Sequence, residues 1–196
     1  MTPHPCNNVC VFVDIERRRN RITQIAALAV DGRLTELESF DVKVRQSRLS
    51  RRCPPTGRSL VPCLAAEEFA TFLRRYPAVN LICDDGRNRP VARLVAHNAE
   101  RFDAPLLHDW YDSLRIFLPA ARLALCTKQR AMAFFLEHPS LIKPADYKLG
   151  TLCVYFGVRL RIEDSHDALN DVRATVELYR AMRGISSEST KLLLTE

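Results

Sequence analysis

Five side chains in three short segments have the types and the spacing that a two-metal hydrolytic site needs. Asp14 and Glu16 lie in VFVDIE, Asp103 ends AHNAERFD, and His166 and Asp171 belong to SHDALND. Carboxylate oxygens are the ligands that Mg²⁺ prefers, and an imidazole titrates near neutral pH, where it can take a proton from water. The set therefore predicts a site that binds divalent cations and activates water for attack on a phosphodiester.

Each segment taken alone has an ordinary structural explanation. Side chains two apart on a strand share a face, so the first pair could be a solvated strand end, although the apolar strand around it makes unpaired carboxylates costly. Asp103 could simply cap a helix. His166 can meet Asp171 only if it precedes the last helix, with Asp167 as the N-cap, because helical residues five apart lie on different faces. The prediction of a site therefore depends on the combination.

The spacing of apolar residues predicts the elements that position these side chains. Strands are predicted at 9–16, 22–30, 37–44, 91–97 and 122–126, and helices at 65–76, 103–114, 131–137, 148–156 and 167–182. The short polar link between the first two strands favours an antiparallel hairpin. Residues 45–62 are predicted to form a long loop, and 84–90 a polar turn or flap. Three strands followed by alternating helices and strands indicate a mixed α/β sheet covered by helices.

Composition and charge indicate one globular domain with an anionic partner. The chain has 196 residues, of which 47% are hydrophobic and 27% charged, so we expect a single domain at 1–185 and a short tail at 186–196. Apolar stretches are too short to span a bilayer and the N-terminus lacks a signal-peptide pattern, which predicts an intracellular protein that is not secreted. The net charge is +6 and all but five of the 29 basic residues are Arg, which fits nucleic acid.

The seven cysteines are scattered and contain no CxxC pair. This pattern is typical of reduced thiols that pack as small apolar residues. Zinc ligation by Cys6, Cys10 or the pair Cys53 and Cys63 is the less favoured alternative.

Three motifs together resemble one enzyme superfamily. VDIE in an apolar strand, AHNxxxFD before a helix and HDxxxD at the start of the last helix resemble the DEDDh-type exonucleases of the DnaQ-like superfamily over residues 9–182. Within that match, LVAHNAERFDAPLL is most similar to three-prime repair (TREX-type) exonucleases. The resemblance implies an RNase H-like α/β fold with a five-stranded mixed sheet whose first three strands are antiparallel.

The resemblance also implies an activity and a division of roles. It implies a 3′→5′ exonuclease that acts on single-stranded or frayed DNA ends and releases nucleoside 5′-monophosphates. Asp14, Glu16 and Asp171 would bind one Mg²⁺ or Mn²⁺ ion, and Asp14 with Asp103 would serve a second. His166 would act as the general base. We expect a cytoplasmic or nuclear location without a membrane anchor, because the C-terminal extension that anchors some TREX-type proteins is absent. TREX-type relatives suggest a homodimer.

The segment after Glu16 departs from the family. The family has a glycine-containing turn that lines the pocket for the terminal nucleotide, whereas this chain has three consecutive arginines in a shorter loop. These arginines could grip phosphates or could be a solvated hairpin tip. Two alternatives stay open: an exoribonuclease, and a non-catalytic nucleic-acid-binding module. The residues expected to contact substrate are Asn98, Phe102, Arg17, Arg18 and Ile15.

Overall fold

A computed structural model describes residues 9–19, 21–45, 58–82, 86–159 and 167–184. The strands are β1 (Cys10–Arg18), β2 (Arg21–Val30), β3 (Glu36–Val44), β4 (Ser59–Leu60), β5 (Val79–Ile82), β6 (Asn88–Val91), β7 (Leu94–Ala96) and β8 (Leu125–Cys126). The helices are α1 (Pro62–Arg74), α2 (Asp103–Leu114), α3 (Thr127–Glu137), α4 (Leu149–Tyr155) and α5 (Ala168–Gly184). Among these helices, none combines the length and the apolar composition needed to cross a bilayer.

Six strands form one mixed sheet in the order β4-β3-β2-β1-β7-β8. The first three strands are antiparallel, and β7 and β8 run parallel to β1. The fold class predicted from the sequence is confirmed, but the sheet has six strands instead of five. The additional strand β4 pairs in parallel with β3 at the end of the predicted loop. Two residues carry no periodic pattern, so the sequence could not reveal this strand.

A second sheet was also missed by the sequence prediction. β5 and β6 form a separate antiparallel pair, so the prediction of a polar turn at 84–90 is wrong for residues 88–90. The pair is mostly exposed and includes polar residues and Pro90, which is tolerated in an edge strand. Strands without a buried face leave no alternation of apolar residues in the sequence. The predicted tail at 186–196 lies outside the described residues, and the domain extent of 1–185 stays a prediction.

The alternation of β1 assigns its side chains to two cores. Val13 and Ile15 belong to the core shared with α1 and α2, whereas Phe12 packs on the other face against α5. Because successive strand residues point to opposite faces, Asp14 and Glu16 lie on the α5 face. A third core joins α3, α4 and α5. The sheet thus presents the first carboxylate pair to the helix that carries Asp171.

The β1–β2 hairpin is irregular beside the first carboxylate pair. Its register shifts between Glu16 and Arg17, where β2 contains one more residue, Thr23. Such a bulge increases the local twist of a strand pair. The turn itself includes Arg19 with a φ of 58°, a left-handed conformation that hairpin turns require. The predicted hairpin is therefore confirmed, and it ends in a cluster of basic side chains.

Candidate active site

Three of the predicted ligands converge in the structure. One carboxylate oxygen from each of Asp14, Glu16 and Asp171 lies within 4.8 Å of the others. The first two lie on the α5 face of β1, and Asp171 lies in the first turn of α5. Within the described part of the chain, this is the only group of three or more acidic, histidine or cysteine side chains with metal-binding spacing. Among the described cysteines, Cys10, Cys63, Cys126 and Cys153 are free.

Asp103 reaches the same region from the other side of the sheet. It is the first residue of α2, only 3% exposed, and its Oδ1 is buried without a hydrogen-bond partner. The expectation that it caps the helix is wrong, because the N-cap is Phe102 and no side-chain cap bond is formed. A main-chain hydrogen bond from Ile15 to the Asp103 carboxyl group links the helix start to β1. Its carboxylate is thus held beside the site with one oxygen unpaired.

The four carboxylates are electrostatically coupled. Burial, together with the negative charges of Asp103, Asp171 and Glu16, raises the pKa of Asp14 to about 8. Burial also raises the pKa of Asp103 to about 7, against main-chain hydrogen bonds that lower it. Such a cluster is unfavourable when ionised unless a cation is present. Hard oxygen ligands, mutual repulsion and the unpaired Oδ1 fit a divalent cation such as Mg²⁺ or Mn²⁺.

The start of α5 is fastened to the sheet by hydrogen bonds. Asp167 caps the helix, as predicted, with its Oδ1 accepting from the Leu169 main-chain N–H at 3.3 Å. The Nε2 of Gln24 donates to Asp41 Oδ1 at 2.8 Å and to Asp167 Oδ1 at 3.4 Å. Gln24 is buried and lies opposite Glu16 in the hairpin register. The sequence analysis missed Gln24, although an amide directly before the apolar run 25–30 of β2 was a signal.

The second motif contains residues with structural roles. Both ring nitrogens of His97 are bonded, Nδ1 to Thr127 Oγ1 at 2.9 Å and Nε2 to the Tyr147 carbonyl at 3.0 Å. Burial lowers the pKa of His97, which favours the neutral ring. His97 is thus a structural histidine with both ring nitrogens satisfied. Asn98 adopts a φ of 66° in the turn before α2, as turn chemistry predicts. Its contact with substrate stays a prediction.

Two of the predicted substrate contacts meet each other. The guanidinium carbon Cζ of Arg17 lies 4.2 Å from the centroid of the Phe102 ring. Arg18 is exposed at the end of β1. The side chain of Ile15 is buried in the core, so any substrate contact from this residue would have to come from its main chain. His166 lies outside the described residues, and its role as general base stays a prediction.

Comparisons with known proteins identify the fold. No family model and no curated protein matches the sequence. One similar solved structure is exonuclease I, with a TM-score of 0.69 and 16% identity over 96% of this chain and 43% of that chain. Another is cell-death related nuclease 4, CRN-4, with a TM-score of 0.63 and 14% identity over 92% of this chain and 65% of that chain. E. coli Exonuclease I in complex with a dT13 oligonucleotide gives a TM-score of 0.66 at 15% identity, over 95% and 42% of the two chains.

The chain therefore has an RNase H-like α/β fold, which it shares with exonuclease I and CRN-4 and which the resemblance of its motifs implied. The chain spans less than half the length of the exonuclease I chains to which it is similar. The narrower similarity to TREX-type exonucleases stays a prediction.

Proposed function

We propose that this protein is a metal-dependent 3′→5′ exonuclease that acts on single-stranded or frayed DNA. The observation that carries the proposal is the meeting of carboxylates from β1, α2 and α5 on this fold. Their mutual repulsion and the unpaired Asp103 oxygen give the cluster a reason to bind cations rather than to serve as a solvated surface. The reaction would release nucleoside 5′-monophosphates.

The carboxylates would hold two Mg²⁺ or Mn²⁺ ions. Asp14, Glu16 and Asp171 would bind the first, and Asp14 with Asp103 would bind the second. When bound, the ions would supply Lewis acidity that makes water a nucleophile at neutral pH and stabilises the leaving 3′ oxygen. The chain would orient the ligands through the hydrogen bonds at the starts of α2 and α5. His166 would accept the proton of the attacking water.

The proposed substrate is a nucleic-acid strand with a free 3′ end. A phosphodiester is an anion, so four carboxylates alone would repel it, and the basic balance of the chain offsets that repulsion. Complexes of E. coli Exonuclease I with dT13 and dA16 oligonucleotides have the same fold, which motivates DNA as the first substrate to test. We keep the homodimer as a separate hypothesis.

The activity is tested with a 5′-labelled single-stranded DNA oligonucleotide, resolved by length during digestion. We expect progressive shortening from the 3′ end with Mg²⁺ or Mn²⁺ and none with EDTA. Asp103→Asn should remove nearly all activity, because it takes away a buried charge from the cluster. Asp109→Asn on the exposed side of the same helix is the matched control and should act like the wild type. An Asp103→Asn protein as active as the control would contradict the proposal.

The same assay separates the two alternatives. A matched RNA strand degraded faster than DNA would assign an exoribonuclease. Salt-sensitive binding of either strand without any metal-dependent shortening would assign a non-catalytic nucleic-acid-binding module. His166→Ala tests the general base: we expect a large loss of turnover with nearly unchanged strand binding.

A further inference from the structure

The contact between Arg17 and Phe102 joins two segments of the proposed active site. Arg17 follows Glu16 at the end of β1, and Phe102 precedes Asp103 at the start of α2. The guanidinium lies over the aromatic ring at 4.2 Å from its centroid, within the distance at which a cation is attracted to a ring face. The inference drawn from this contact rests on the proposed function.

The strand geometry explains why Arg17 lies there. Arg17 is on the same side of β1 as Ile15, which packs toward α1 and α2, whereas Asp14 and Glu16 face α5. The register shift after Glu16 adds twist where the hairpin leaves the sheet. The contact therefore lies on the α2 side of β1, and each of its residues is the direct sequence neighbour of a carboxylate of the cluster, Glu16 or Asp103.

Stacking leaves the hydrogen-bonding capacity of the guanidinium available. The Phe102 ring has no oxygen or nitrogen acceptor, so the contact uses none of the five N–H donors of the guanidinium in a conventional hydrogen bond. Within the described part of the chain, no carboxylate forms an ion pair with Arg17. The group is thus held in place by an aromatic ring while its edge is free to meet an anion.

The neighbouring arginines differ from Arg17 in this respect. Arg17, Arg18 and Arg19 are all exposed, and Arg21 pairs with Arg18 in the strand register. Among these four arginines, Arg17 is the one whose guanidinium has an aromatic ring against it in the described part of the chain, whereas the others only add positive charge around the site. Fixing a guanidinium in advance lowers the entropy lost when it binds a phosphate. The structure thus distinguishes one arginine of the cluster from the others.

We propose that Arg17, held by Phe102, is a phosphate clamp that binds the backbone of the substrate strand beside the carboxylate cluster. The ligand is the phosphodiester group of single-stranded nucleic acid, recognised through its oxygens and without regard to the base. The clamp replaces the glycine-containing turn that the resemblance leads one to expect, which explains how a shorter and more basic loop can serve the site. Lys cannot substitute, because it has neither the flat face nor the fork.

The test measures binding of a labelled oligonucleotide with phosphorothioate linkages, in EDTA and over a series of salt concentrations. Loss of one phosphate contact should reduce the slope of log K against log salt by about 0.7 for a single strand, so we expect that change in Arg17→Ala. Arg33→Ala removes the same charge from an exposed turn between β2 and β3 and should leave the slope unchanged.

A double-mutant cycle tests the role of the ring. Arg17→Lys keeps the charge but loses the guanidinium, and Phe102→Leu loses the ring that holds it, so each should weaken strand binding. Because both changes remove the same contact, their effects should be non-additive in the double variant. Arg18→Ala should be additive with Phe102→Leu. Unchanged melting temperatures show that the variants are folded, and Arg17→Lys alone is decisive if Phe102→Leu fails to fold. Wild-type or tighter binding by Arg17→Ala would overturn the clamp.

The outcome is independent of turnover, because binding is measured without metal. A protein that binds strands through Arg17 but never cleaves them would refute the exonuclease and retain the clamp. Metal-dependent cleavage by the wild type, together with an unchanged salt slope in Arg17→Ala, would support the exonuclease and refute the clamp. Absence of any strand binding would refute the clamp outright.

Discussion

At the scale of single residues, Asp14 is the most perturbed group of the proposed site. Its carboxyl is buried among three others, which raises its pKa from 3.8 to about 8. A carboxyl whose pKa is higher in the fold than in the unfolded chain stabilises the fold while it is protonated. That contribution to stability is complete at a pH below the pKa of the unfolded chain, and it is lost as the pH rises through the pKa of the folded protein. Metal-free protein should therefore lose stability with rising pH.

We predict that in EDTA the melting temperature falls between pH 5 and pH 8, over the interval set by the two pKa values of Asp14. The melting temperature of Asp14→Asn should fall less over this pH range, because the amide cannot ionise. Thermal unfolding over a pH series measures both slopes, and Asp109→Asn serves as the control for a carboxylate outside the cluster. Parallel curves for the wild type and Asp14→Asn would contradict the prediction.

The residue types of the site could be predicted, whereas its contacts could not. Carboxylates at a spacing of two on a strand, or at the start of a helix, leave a pattern in the sequence, and the structure places Asp14, Glu16 and Asp171 together. The stack of Arg17 on Phe102 leaves no such pattern, since the two residues are far apart in the chain. Their contact depends on where α2 begins relative to the hairpin, which only the folded chain determines.

At the scale of elements, the start of α5 depends on Gln24 of β2. The amide donates hydrogen bonds to the carboxylates of both Asp41 and Asp167, and it thereby holds the helix cap against β2 and β3. Asp171 lies one turn further along that helix. Since Gln24 also lies opposite Glu16, it couples the geometry of the strand pair to that of the third ligand.

We predict that Gln24→Leu weakens metal binding, because the cap of α5 loses its anchor. Loss of this hydrogen-bond donor should lower the free energy of unfolding by about 1 kcal/mol, and Gln24→Glu should lower it more through like-charge repulsion. Calorimetric titration with Mg²⁺ measures the effect independently of turnover. Gln129→Leu is the control, because its Nε2 likewise donates to a carboxylate, that of Glu100, on an exposed surface. Equal affinities in the Gln24 and Gln129 variants would exclude the anchoring role.

Elements with a buried face were predictable and exposed or very short ones were not. The helix predicted at 103–114 matches α2, and that predicted at 167–182 matches α5 to within two residues, because each has one apolar stripe. β4 is two residues long, and β5 and β6 bury little of their surface. Their pairing arises from backbone hydrogen bonds, which any residue except proline can donate, so composition reveals little about it.

At the scale of the whole molecule, an acidic centre is set in a chain of net charge +6. The two charges have separate tasks in the proposed function, since the carboxylates attract cations and the arginines attract the strand. Screening by salt weakens both attractions. The distribution also separates metal binding from strand binding as experimental quantities, because the residues concerned differ.

We predict that Mg²⁺ raises the melting temperature of the protein, since a ligand that binds only the folded chain stabilises it by mass action. At an ion concentration of about 100 times the dissociation constant the gain is about 2.7 kcal/mol. Asp171→Asn should lose most of this gain, because it removes one of the three converging carboxylates. Differential scanning calorimetry with and without Mg²⁺ measures the shift, and an equal shift in Asp171→Asn would contradict the assignment of this ligand.

The packing of α5 against β1 has a consequence for the order in which the chain is synthesised and folded. Asp14 and Glu16 are synthesised long before Asp171, which belongs to the last helix that the structure describes. Contacts of such long sequence separation form late, because the chain between them must be ordered first. A nascent or truncated chain that lacks α5 has only part of the proposed metal site. That site would therefore be completed only after α5 has been synthesised and has packed on β1.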